Sequence, residues 1–171
     1  MSGRFGTAQA WFAVTGQQVS QPSSGLSRDS SDFLRWPLVS VLELGPSGAA
    51  SAHARRHVMD VLVSWEIARD LIPDAELITA ELMSNAIRAT LGLNEPQPVG
   101  LRLLGNQQRL VVEVWDANPD DPVRRAASDF DAESGRGLQI VEALSNRWGC
   151  RRLSTYVKAV WAELLMPQAR M

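Results

Sequence analysis

The sequence predicts an α+β fold: a mixed, mainly antiparallel sheet with its helices on one face. Three observations lead there. β-rich segments recur in five places, and helical spacing of apolar residues recurs in three. The segments follow the order strand, helix, helix, strand, strand, long loop, helix, strand, strand, in which adjacent strands favour antiparallel pairing. At 171 residues and 45% hydrophobic content the chain has material for one domain with a core, and two packed domains would be crowded.

Residues 1–35 are rich in Gly, Ser, Gln and Thr without a periodic apolar face and read as a flexible N-terminal tail, in which Trp11 and Phe12 could dock on a partner. The folded domain spans 36–166, and 167–171 form a C-terminal tail. Leu38 to Leu44 form a β-rich run broken by Gly45-Pro46-Ser47-Gly48. Ala54, Val58, Val61, Leu62 and Trp65 recur at helical spacing within about 50–66, and a second helix runs from about Asp74 to Leu91, with Pro73 and Asp74 as its start and Gly92 as its stop. Val99, Leu101 and Leu103 alternate with Gly100 and Arg102, and the turn residues 105–108 join them to the strand Leu110 to Trp115, giving a hairpin. Asp116 to Ser134 contains Pro119 and Pro122, many charges and no apolar period, and reads as a long loop. Helical spacing returns from Gly137 to Asn146, with short strands near 147–151 and 157–165.

Composition excludes several functions. With 17 basic and 19 acidic side chains the net charge is −2, which supplies no general attraction to nucleic acid or an anionic membrane. The single cysteine, Cys150, excludes an internal disulfide and a thiolate zinc cluster, and a reducing cytoplasm fits best. The N-terminal apolar run, Ala10 to Val14, is too short for a signal peptide, and no stretch approaches the ~18 residues of a membrane span. Lys158 is the only lysine, so lysine-dependent phosphate chemistry has one candidate position.

Three patterns carry chemistry. On the second helix Glu81, Ser84, Asn85 and Arg88 share one face, opposite Ile78, Leu82, Met83, Ala86 and Ile87. Such a face can be ordinary solvated surface; a carboxylate and a carboxamide four residues apart can also hold a hydrated Mg²⁺, and the glutamate can serve as a base. Asp116 closes a strand with Asn118 two residues later. It can form a turn, or accept a hydrogen bond from an exocyclic amine beside the sheet, while Asn118 tolerates positive φ. Gly135-Arg136-Gly137 precedes a helix, where glycines allow close approach and unpaired N–H groups face an anion, although plain capping gives the same pattern. Neither a dinucleotide fingerprint nor a Walker A loop is present, since Asn106 and Gln107 stand where the latter needs Lys and Ser/Thr. His53 and His57 lie four apart without a third ligand marked by spacing and read as partly exposed helix histidines. Trp115, Trp148 and Trp161 read as core and interface anchors.

In this order the patterns resemble the GHKL nucleotide-binding superfamily, specifically the bacterial anti-sigma-factor serine/threonine kinase-like (histidine-kinase-like) ATPase domains, in their actinobacterial branch. Glu81-Leu82-Met83-Ser84-Asn85-Ala86 looks like the N-box and Trp115-Asp116-Ala117-Asn118-Pro119 like the first glycine box. Glu133-Ser134-Gly135-Arg136-Gly137-Leu138, with Val141 and Trp148-Gly149, looks like the second. The resemblance covers 36–166. It implies a two-layer α/β sandwich (the Bergerat/GHKL ATPase fold) with a long ATP lid at Ala117 to Ser134, and ATP with Mg²⁺ as cofactors. By the same resemblance Asn85 would hold the metal, Glu81 would be the general base, Asp116 would bind the adenine amine, and Gly135, Arg136 and Gly137 would contact phosphates. Arg88, Asn118 and Leu138 complete the implied nucleotide-binding set. Two residues depart from the family pattern: Asn118 replaces a glycine, and Ala159 replaces a threonine.

The resemblance further implies a cytoplasmic ATP-binding regulator of transcription: a protein serine/threonine kinase acting on an anti-anti-sigma protein, or sequestering a sigma factor, without direct nucleic-acid or membrane contact. The alternative is a non-catalytic ATP-binding module that regulates by protein contact. A homodimer stays open. Histidine-kinase activity is not expected, because no phosphoacceptor dimerisation helix is present.

Overall fold

A computed structural model describes residues 35–118 and 137–167. Residues 1–34 of the expected N-terminal tail, most of the expected lid, Gly135, Arg136 and the end of the C-terminal tail lie outside these residues. Within them the chain forms β1 (Leu38–Leu44), α1 (Ala50–Ser64), α2 (Ile72–Leu91), β2 (Val99–Gly105), β3 (Arg109–Asp116), α3 (Gly137–Leu144), β4 (Arg147–Arg152) and β5 (Lys158–Leu165). The sheet order is β1-β2-β3-β5-β4 and every neighbouring pair is antiparallel. The element order is the one the sequence predicts.

Strand alternation sorts the sheet into two faces. One face carries Leu101, Leu103, Val112, Val114, Val160 and Ala162, which form a single core with Ala54, Val58 and Leu62 of α1, Ile78, Leu82 and Met83 of α2 and Val141 of α3. Each large aliphatic side chain fully buried there stabilises the fold by about 1.5–3 kcal/mol relative to exposure. In α1 the buried residues Ala50, Ala54, Val58 and Leu62 recur every four positions, which makes one apolar stripe. The helix closes with Glu66 at φ 55°, while the N–H groups of Ile67 and Glu66 donate to the carbonyls of Leu62 and Val63. This is the Schellman arrangement, built without its usual glycine.

Helix α2 starts two residues before the expected Asp74, because Pro73 lacks an N–H but needs none in a first turn. Gly92 caps its end at φ −76° and makes no use of glycine's left-handed freedom. The Thr90 hydroxyl both accepts from the Gln97 N–H at 3.0 Å and donates to its carbonyl at 3.1 Å, which turns the chain toward β2.

The opposite face of the sheet is polar and aromatic. The ring of Trp115 lies over Gly100 and that of Trp161 over Gly149, where a Cβ would meet ring carbons at 2.5 and 2.9 Å. Glu113 is buried between Arg102 and Arg151, each at 2.6 Å, and accepts the Trp115 indole N–H at 2.8 Å. Glu163 is buried beside Arg147, whose Nε and Nη2 donate to its two oxygens at 2.9 and 2.8 Å. These bonds hold its carboxyl below the usual carboxylate range against the opposing effect of burial. Trp115 and Trp161 therefore anchor this second face, and of the three strand tryptophans Trp148 packs against the core.

His57 bonds Ser40 at 2.9 Å, joining α1 to β1, while His53 is exposed. Burial lowers the His57 pKa below its usual 6.5, against the attraction of Asp60 for its charged form. The folded chain therefore binds this proton less readily than the unfolded chain. The stabilisation is complete above the unfolded value of about 6.5 and is lost as pH falls from there through the folded value. The urea midpoint is expected to drop on acidification below about pH 6.5, and to drop less in His57→Gln. Parallel curves for the two proteins would exclude His57 as the group responsible.

Candidate functional site

The polar stripe of α2 is the foundation of the site. Glu81, Ser84 and Asn85 are half-buried and Arg88 is exposed, whereas Ile78, Leu82, Met83, Ala86 and Ile87 face the core. Positions 81, 85 and 89 follow one another at i+4 and so form one row. Each end of that row meets another element.

At the first end, α3 begins on the row. A Cβ on Gly137 would lie 2.6 Å from Glu81 Oε2 and 3.5 Å from Asn85 Nδ2, so only glycine lets this backbone approach both side chains. The first turn of α3, whose backbone N–H groups have no partner within the helix, thereby lies beside a carboxylate and a carboxamide. Leu138, next in sequence, is buried in the core, so a nucleotide contact from it would have to come from its backbone.

At the other end, the chain leaving β3 is fastened to the same row. Asn118 Nδ2 donates to the carbonyl of Ala89 at 3.2 Å. Its backbone N–H donates to Asp116 Oδ1 at 2.9 Å, so Asp116 does form the turn that a strand-end aspartate favours. Asn118 does this without positive φ, which among the described non-glycine residues occurs only at Glu66. Residues 118 and 137, on either side of 119–136, thus both touch the Glu81-Asn85-Ala89 row.

Asp116 has a partner that the motif reading missed. Lys158 Nζ donates to Asp116 Oδ1 at 2.7 Å and to the Asn118 carbonyl at 2.8 Å, and the two side chains are 5% and 3% exposed. The residues stand opposite each other in the β3–β5 register. Burial raises the Asp116 pKa, and the Lys158 ammonium and the Asn118 N–H pull it back toward its usual value. In the sequence Lys158 stands out only as the single lysine; its pairing needs the strand register, which no motif supplies.

The metal reading meets one competitor. Arg88 Nη1 donates to Asn85 Oδ1 at 3.2 Å, the oxygen a cation would take. This bond is solvent-exposed, and an exposed side-chain bond of this kind is exchanged at little cost. Among the described residues no group of three His, Cys, Asp or Glu side chains could hold a metal by itself. One carboxamide oxygen, with water and phosphate completing the shell, is a set that suits Mg²⁺. Among the described residues no helix is long and apolar enough to cross a membrane.

The architecture recurs in solved structures. One is the RsbU and RsbW domains of Rv1364c from Mycobacterium tuberculosis, 16% identical over 77% of this chain and 34% of that one, with TM-score 0.53. Another is the SiaB–SiaC complex from Pseudomonas aeruginosa, 12% identical over 78% of this chain and 94% of the matched chain, with TM-score 0.56. At such identities the likeness establishes the fold, and this chain spans about a third of the first of them. No curated protein matches the sequence. The histidine kinase-like ATPase domain matches residues 46–162, which contain both ends of the α2 row, Asp116 and Lys158. The chain belongs to the histidine kinase-like ATPase domain family, with the two-layer GHKL fold.

Proposed function

We propose that the protein binds ATP with Mg²⁺ and transfers its γ-phosphoryl group to a serine or threonine of an anti-anti-sigma protein, a partner that competes with a sigma factor for the same regulator. The observation that carries this reading is the approach of Gly137 to Glu81 and Asn85, which gathers a candidate base, an oxygen ligand and helix N–H groups at one place. In the proposed reaction Asn85 holds the cation, which when bound neutralises phosphate charge. Gly135, Arg136 and Gly137 take the phosphates, Asp116 accepts from the adenine amine, and Glu81 accepts the hydroxyl proton of the acceptor residue. Phosphoryl transfer depends mostly on positioning and charge, so these groups suffice without a P-loop lysine.

A second reading, contact-only regulation by an ATP-binding module, is favoured by Arg88 on Asn85 and by Asn118 in the place of a glycine. Transfer of labelled γ-phosphate to an anti-anti-sigma protein that the chain binds distinguishes the two. Glu81→Ala is expected to slow transfer by about 100-fold or more while changing the calorimetric affinity for Mg-ATP by less than about threefold. Wild-type protein that binds both ATP and partner yet transfers nothing would establish the second reading. No heat at millimolar Mg-ATP would remove both.

A further inference from the structure

We propose that Lys158 is the positioning residue of the nucleobase end of the site: it fixes the Asp116 carboxylate by one oxygen and leaves the other to select an amino group over a keto group. The inference rests on the reading of Asp116 as the adenine-binding carboxylate. Oδ1 accepts both the Lys158 ammonium at 2.7 Å and the Asn118 N–H at 2.9 Å, and Oδ2 accepts no bond from the described residues. A carboxylate held by one oxygen cannot rotate freely, so its second oxygen offers lone pairs in a fixed direction.

The identity of the residue fits the task. A compact ammonium with three rotatable donors spans a carboxylate and the Asn118 carbonyl, 2.8 Å away, whereas the five fixed donors of a guanidinium would leave several N–H groups buried without partners. In a chain that otherwise uses arginine for every basic position, the one lysine stands where an arginine would not serve. The clasp also reaches α2, through the Asn118 bond to Ala89, so the carboxylate is registered to the Glu81-Asn85-Ala89 row.

Selectivity follows from protonation. An ionised carboxylate only accepts hydrogen bonds, which suits the 6-amino group of adenine and rejects the 6-keto oxygen of hypoxanthine. Without the ammonium, burial drives the Asp116 carboxyl toward its neutral form, an acid that both donates and accepts. Discrimination between the two bases then fails.

The test is to measure the dissociation constants of ATP and inosine triphosphate, both with Mg²⁺, from pH 6 to pH 8.5 for wild type and Lys158→Met. Wild type is expected to prefer ATP by more than about tenfold across the range. In Lys158→Met the preference is expected to shrink to within about threefold at pH 6 and to recover as pH rises and the carboxyl ionises. A ratio measured in one sample is independent of the folded fraction, and if Lys158→Met does not fold at all, Lys158→Gln, which keeps length and two donors, takes its place. A ratio equal to that of wild type, or lowered without dependence on pH, overturns the assignment and leaves the ATP reading standing. Wild type that binds neither nucleotide overturns both.

Discussion

Asp116→Ala is expected to destabilise the protein by about 3–5 kcal/mol, because it leaves the Lys158 ammonium buried without its counter-charge. The carboxylate accepts two bonds, so its loss also removes the hydrogen bond that the Asn118 N–H makes to it and loosens the exit from β3. The double variant Asp116→Ala/Lys158→Met should recover most of the loss, since a buried ion pair replaced by apolar groups is often close to neutral in stability. Urea denaturation of the wild type and the three variants at pH 7 measures the pair as a cycle. A single-variant cost below about 1 kcal/mol would mean that water reaches the ammonium, contrary to its burial.

Gly137→Ala is expected to have the opposite profile, a large effect on chemistry and a small one on stability. The added methyl would lie 2.6 Å from Glu81 Oε2, the far end of a flexible side chain that can turn away. Alanine is also the better helix former by about 0.5–1 kcal/mol, so unfolding should shift by less than about 1 kcal/mol in either direction. The displaced carboxylate, however, leaves the place where it would accept a proton, and misplacement by about 1 Å costs on the order of 100-fold in rate. Labelled phosphate transfer compared with thermal melting reads both quantities. Transfer at the wild-type rate would show that the approach of α3 to α2 has no part in the reaction.

The fold was legible because each element carries its own period. Leu38 to Leu44 is a run rich in β-formers, and β1 has those bounds in the structure, where burial alternates along its whole length. The ends of β2, β3 and β4 lie one or two residues beyond expectation, since pairing with a neighbour extends a strand past its apolar pattern, as Gly105 opposite Leu38 and Asp116 opposite Lys158 show, while β5 starts one residue later than expected. The α2 row was legible for the same reason as the helix. The contact of Gly137 with it was not, because residues 52 to 56 positions apart meet only through the packing of α3 on α2. Lys158 was hidden by register. Trp115 and Trp161 look like core residues by composition, yet alternation puts them opposite the helices, and what buries them there is a neighbouring glycine and an arginine.

The carboxylates on that second face bear on which substitutions the chain can accept. Arg147 grips both oxygens of Glu163 with two donors of one planar group, and Arg151 sets two donors on a single oxygen of Glu113. Arg102 meets the other oxygen of Glu113 and also stacks 5.1 Å from the centre of the Trp115 ring. Lysine, a point charge on a thin stem, can reproduce neither the fork nor the stack. The preponderance of arginine is at positions 102, 147 and 151 a requirement of shape. There an exchange of one cation for another, neutral by charge, is not a conservative change.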